Sequence, residues 1–188
     1  MRIVAALLLL CGLTWGQETE ALGKGAWEFG VWTGGGTSIS GGTSGVRAWN
    51  LGMRVGKVLT DEHGPGPLRG TLEYTFDVMP LYVIWHSETS YAAGVNPLIL
   101  KWNFTGARNV TPYFEVGAGV LVSPDEIPAG TSNVNFLPQA GFGVYIFSRE
   151  RRAVALAAKY VHISNAGLAS PNPGINTLQF SVGYHWFK

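Results

Sequence analysis

The residue types best suited to chemistry gather between positions 160 and 176, which read Y-V-H-I-S-N-A-G-L-A-S-P-N-P-G-I-N. If the segment leading into them is extended, the period of two sets His162 and Ser164 on one face, with β-carbons roughly 6 to 7 Å apart. An imidazole at that range can take a proton from a hydroxyl. A nucleophile beside a general base, with neighbouring amides to hold an oxyanion, is the apparatus of acyl transfer. An H-x-S pair is also a common polar feature of strands without chemistry, so the face on which it lies must decide.

The first residues place the chain outside the cytoplasm. Met1 and Arg2 precede an apolar run from Ile3 to Leu13, and Thr14, Trp15 and Gly16 lead to Gln17, so residues 1–16 read as a secretory signal peptide. The run is too short to cross a bilayer as a helix, which takes about 20 residues. Cys11 lacks the small residue before it that lipidation needs, and as the sole cysteine it leaves with the leader. Residues 17–188 then form one domain that must hold without disulfides.

Composition narrows the class. Only 13% of residues are charged, against about 25% in average soluble domains. With 26 Gly and 12% aromatics, the chain has little with which to cover a water-facing surface. A net charge of +1 offers no basic face for nucleic acid. The mature chain has no long apolar helix, which leaves a closed β-barrel as its way through a membrane.

Eight segments of apolar and polar alternation support that reading. Their apolar rows begin at Trp27, Trp49, Leu72, Leu98, Phe114, Phe136, Val154 and Leu178. The predicted fold is all-β, an eight-stranded antiparallel outer-membrane barrel with an apolar outside and a polar, filled interior. A soluble barrel of inverse polarity would need far more surface charge. Arg54, Glu28, Glu73 and Glu115 fall on the inner rows and are expected to pair, because an unpaired buried charge is costly. Trp27, Trp32, Trp49, Trp102 and Trp186 are expected near strand ends as interfacial girdles. Residues 79–91 read as the end of the third strand and a long loop, and residues 34–45 as a flexible Gly/Ser/Thr tip. Connections after the odd strands are read as long and those after the fourth and sixth as short, which directs the odd strands outward and both termini to the periplasm.

On this map His162 and Ser164 share the parity of Val154, Leu156, Ala158 and Tyr160. They therefore lie on the lipid-facing row, at the outer-leaflet end of the seventh strand. Polar, titratable residues on such a wall are expensive and usually functional.

The run H-I-S-N-A-G, followed by P-N-P-G-I-N and a last strand ending Y-H-W-F, resembles the outer-membrane lipid A 3-O-deacylase (PagL) family over residues 158–187. The resemblance implies an eight-stranded barrel whose outer wall hydrolyses an ester-linked acyl chain of lipopolysaccharide. It also implies Ser164 as nucleophile, His162 as general base, and the Asn165 side chain and Gly167 amide as oxyanion hole. The family's third member is a Glu twelve residues after the Ser, and here that position is Asn176. Its amide oxygen can accept the imidazole N–H and fix the tautomer, although it cannot stabilise imidazolium by charge. A carboxylate would add charge to the same bond, which predicts that Asn176→Glu preserves or raises activity. Should Asn176 not orient the ring, Glu88 and Asp125 of the outer loops are the next candidates. His86 and His185 are assigned to a loop and to the interior.

No His/Cys/Asp cluster has ligand spacing, so no metal or cofactor is expected. The expected partners are lipid A and the outer membrane, and the sequence leaves open whether the chain forms a homodimer. The alternative function is a non-catalytic barrel, structural, adhesive or lipid-binding, that has lost the acid of the triad.

Overall fold

The structure, a computed structural model, describes residues 21–106 and 110–188. The expected leader, with Cys11, lies outside the described residues. The strands are β1 (Trp27–Ser38), β2 (Arg47–Val58), β3 (Gly70–Trp85), β4 (Thr89–Phe104), β5 (Val110–Val122), β6 (Val134–Phe136), β7 (Gln139–Arg149), β8 (Arg152–Ile163) and β9 (Ile175–Phe187). Both β6 and β7 pair with β5 in one register, Val120 opposite Phe136 and Gly117 opposite Gln139. They are two pieces of one wall strand, interrupted at Pro138, which has no N–H to give to the ladder. All neighbours are antiparallel, β4 pairs with β5, and β9 closes on β1, giving an eight-stranded barrel. In lipid, closure leaves no unpaired backbone edge.

The alternation reads out as predicted along most of the wall. Val31, Met53, Leu98, Leu156 and Phe180 stand exposed on the outside, while Glu28, Arg54, Glu73 and Glu115 are buried. Residues 34–38, expected to belong to a flexible tip, instead continue β1, with Gly36 opposite Ala48, and two further departures concern β3 and β4. Instead of a long loop, residues 79–91 continue the ladder, Tyr82 opposite Ala92 and Trp85 opposite Thr89, and only residues 86–88 turn. Register shifts place one extra residue in β3 around Pro80 and one in β4 around Pro97, the bulge positions where proline is tolerated. Each bulge flips the parity. After Met79, the inward residues are Tyr82 and Ile84, and the alternation is hidden in the sequence. The connection after the third strand is therefore short, contrary to the loop-length reading, and the hairpin itself supplies the height.

Trp32 also departs from its expected girdle position. It shares the inner parity of Glu28, packs against the interior cluster and lies with its ring 5.2 Å from the Lys159 ammonium. Gly52 makes the room, since a β-carbon there would come within 2.3 Å of the indole.

The interior is filled in layers. Nearest the β8–β9 loop lies an apolar layer containing Val46, Tyr82, Ile84, Leu121, Ile163 and Ile175. A charged middle layer follows. Arg54 bonds Asp77 at 2.7 Å and Glu115 at 2.9 Å, and Lys159 reaches Glu115 at 2.6 Å. Lys101 bridges Glu28 at 2.5 Å and Glu73 at 2.9 Å, and Glu28 also meets His185 and the Tyr145 hydroxyl. Four carboxylates thus face three fixed cations and a histidine, the pairing that burial demands. An aromatic layer with Tyr113, Tyr145 and Phe187 closes the far end.

Candidate active site

The site forms where β8 ends and β9 begins. The two strands are in direct register, Tyr160 opposite Leu178 and His162 opposite Asn176, with residues 164–174 as the connecting loop. His162 and Asn176 share the outward parity of Tyr160 and Leu178 because a strand repeats its face every second residue.

Their side chains meet. His162 Nδ1 lies 2.5 Å from Asn176 Oδ1. An amide oxygen can only accept, so Nδ1 carries the proton and Nε2 keeps a lone pair, the tautomer a general base requires. The orientation of the amide is fixed from the other end, where Asn176 Nδ2 donates to the carbonyls of Gly41 at 2.8 Å and Ser40 at 3.2 Å. The Tyr160 hydroxyl donates to the same Oδ1 at 2.7 Å. Backbone bonds from Ile39 to Asn176 O and from Thr43 to Gly174 O, both 2.8 Å, tie the β1–β2 loop to β9.

Gly174 lets this arrangement form. Its φ of +64° suits glycine, and a β-carbon there would sit 2.8 Å from His162 Cε1. Gly174→Ala is expected to displace the imidazole and to slow any reaction that uses it by about tenfold or more, while costing the barrel about 1 kcal/mol. Hydrolysis assays beside urea unfolding would check both; equal rates would mean that the ring position is not critical.

Ser164 is held by its backbone. Phe136 N donates to Ser164 O at 2.7 Å and Ser164 N to Phe136 O at 3.2 Å, so β6 fixes the serine next to the barrel wall. The residue is nearly covered, at 8% exposure, and among the described residues its hydroxyl is not hydrogen-bonded to His162. Catalytic hydrogen bonds are often formed only in the substrate complex. Asn165 and Gly167, the implied oxyanion donors, are engaged within their own loop. Asn165 Nδ2 donates to Ala169 O at 3.1 Å, and Asn165 Oδ1 accepts the Gly167 N–H at 2.9 Å. Between them Ala166 is left-handed, with φ 53°, an unusual conformation for a residue with a β-carbon.

The other candidates lie elsewhere. His185 is buried against Glu28 in the interior. His86, Glu88 and Asp125 line a cavity of about 200 Å³ at the mouth, between the β3–β4 turn and the β5–β6 loop. Sequence reasoning missed Tyr160, Ser40 and Gly41. Tyr160 read as one more apolar residue of its row, and Ser40 and Gly41 act through main-chain carbonyls, which carry no sequence signal.

Comparison with known proteins decides the family. The model of the lipid A 3-O-deacylase (PagL) family matches residues 12–185. The chain belongs to the PagL family. Among solved structures it is similar to the outer membrane enzyme PagL, with TM-score 0.57 and 19% identity over 84% of this chain and 98% of that one. The outer membrane protein OprG from Pseudomonas aeruginosa gives TM-score 0.55 and 12% identity over 90% and 98% of the two chains. No curated protein sequence matches significantly. As a PagL-family barrel, the chain is a bacterial outer-membrane protein.

Proposed function

We propose that this PagL-family barrel is a serine esterase that removes an ester-linked acyl chain from lipid A in the outer leaflet. The observation that carries the reading is the 2.5 Å His162–Asn176 contact on the lipid-facing row, with His162 two residues before Ser164 in the chain. A wall that only needed to meet lipid would gain more from aliphatic residues there.

In this reading His162 Nε2 takes the Ser164 proton as Oγ attacks the ester carbonyl. The Asn165 side-chain amide and the Gly167 N–H turn from their loop partners to the developing oxyanion. The imidazolium then gives its proton to the departing sugar oxygen, leaving an acyl-serine. Water, deprotonated by the same imidazole, attacks the acyl carbon, and the imidazolium returns that proton to Ser164 Oγ as its bond to the fatty acid breaks. Asn176 holds the ring in the correct tautomer throughout. The roughly 10⁴-fold loss seen when a serine-protease triad acid becomes its amide arises largely from a wrong tautomer, which this geometry avoids. Every residue of the site comes from one chain, so the proposal does not require a homodimer.

A non-catalytic barrel is the second reading, favoured by the engagement of Asn165 and Gly167 with each other. Mass spectrometry of lipid A from cells with and without the gene separates the two. The expected result is loss of one hydroxyacyl chain when the gene is present; an unchanged spectrum, in a strain whose lipid A carries that chain, refutes the esterase.

A further inference from the structure

The polar groups around Asn176 match an amide atom by atom. Oδ1 accepts from His162 Nδ1 and from the Tyr160 hydroxyl, at 2.5 and 2.7 Å, and Nδ2 donates to two carbonyls of the β1–β2 loop, at 2.8 and 3.2 Å. A primary amide has two donor hydrogens and two acceptor lone pairs, and here all four are used. The residue is 7% exposed, so water offers little substitute for a lost partner. Gly41 permits the close approach of the loop: at its φ of +97° a β-carbon would lie 2.9 Å from Asn176 Nδ2.

A carboxylate has no donor. Placed at 176, one of its oxygens would face the carbonyl oxygens of Ser40 and Gly41, losing both hydrogen bonds and gaining repulsion between acceptors. We propose that Tyr160 and the Ser40 and Gly41 carbonyls are positioning groups that make this site selective for an amide, so that Asn176 is a built-in orienting residue rather than a decayed acid. This rests on the esterase reading for its catalytic consequence and not for its geometry. It reverses the expectation from sequence that Asn176→Glu preserves or raises activity.

Tyr160 has a defined part in the device. It stands 41% exposed on the lipid-facing row, yet its hydroxyl turns to Asn176 Oδ1. Two donors converging on one oxygen fix that oxygen's position more tightly than the imidazole alone would, and the imidazole is aligned in consequence.

The test uses the full barrel refolded in detergent micelles, with ¹⁵N-labelled histidine and with His162→Gln to assign the signal. The parent is expected to show His162 in a single Nδ1–H form. Tyr160→Phe should mix in the Nε2–H form and lower kcat on purified lipid A about fivefold with KM unchanged. Asn176→Asp, the isosteric carboxylate, should lower kcat about tenfold and speed hydrogen exchange at Ile39 and Thr43, whose amides bond the β9 end. Asn176→Glu should fall below the parent as well. An Asn176→Asp variant that equals or exceeds the parent, with those amides still protected, overturns amide selectivity. An unchanged tautomer and kcat in Tyr160→Phe, which removes one oxygen from an exposed ring and leaves the fold intact, overturns the role of Tyr160. A parent that hydrolyses nothing refutes the esterase reading, while the tautomer and the exchange rates still decide the positioning claim.

Discussion

Ser164→Ala and His162→Ala are each expected to lower lipid A hydrolysis by about 10³-fold or more while leaving a folded barrel. The size follows from the roles proposed for them: one forms the covalent bond, the other moves every proton. Folding should survive because Ser164 lies just beyond β8 and holds its place through backbone bonds to Phe136, which alanine keeps. His162 meets lipid on one side and Asn176 on the other, outside the interior layers. Purified variants compared by initial rate, with heat-modifiable mobility on gels as the folding control, check this. Because nucleophile and base act as a unit, the double variant should be little worse than either single one. Most activity retained in Ser164→Ala would remove the mechanism, and unfolding of both variants would return the pair to a structural role.

The second large effect lies inside the barrel. Lys101→Met is expected to cost about 3 to 5 kcal/mol in reversible urea unfolding, the usual result of deleting one partner of a buried pair. Lys101 is fully buried and alone bridges Glu28 and Glu73, so its loss leaves two carboxylates facing each other. Adding Glu73→Gln should recover part of that loss, because Glu28 keeps His185 and the Tyr145 hydroxyl as partners while the second charge is gone. The folded fraction should hydrolyse lipid A at the parental rate, since the cluster faces away from the outer wall. A cost below about 1 kcal/mol for the single variant, or no recovery in the double, would show that the ion pairs contribute little.

Much of this architecture was legible because a barrel in lipid has to alternate. Val154, Leu156, Ala158 and Tyr160 could face only one way once Lys159 faced the other, and the same parity set His162 outside. The bulges at Pro80 and Pro97 broke the rule locally: an extra residue reverses the faces, and a regular ladder then looks like a loop. Trp32 was misplaced for a related reason, since aromatic identity suggested the membrane interface whereas parity put it opposite Gly52. At the site, the pairing of His162 with Asn176 followed from hairpin register. The surroundings of Asn176 did not, because a loop of Gly, Ser and Thr has no periodicity and its contribution is made by main-chain carbonyls common to every sequence.

The filled interior has a further consequence for how such an enzyme would meet its substrate. Among the described residues, apolar and aromatic layers lie above and below the charged middle, and single-channel recordings are expected to show no conductance. If Ser164 is the nucleophile proposed above, approach to it is lateral, by diffusion in the plane of the membrane, and the released fatty acid departs by the same route. Turnover in this two-dimensional setting is governed by the mole fraction of lipid A among its neighbours rather than by its bulk concentration. Diluting the substrate with inert detergent at constant total amount should therefore slow the reaction as strongly as removing it.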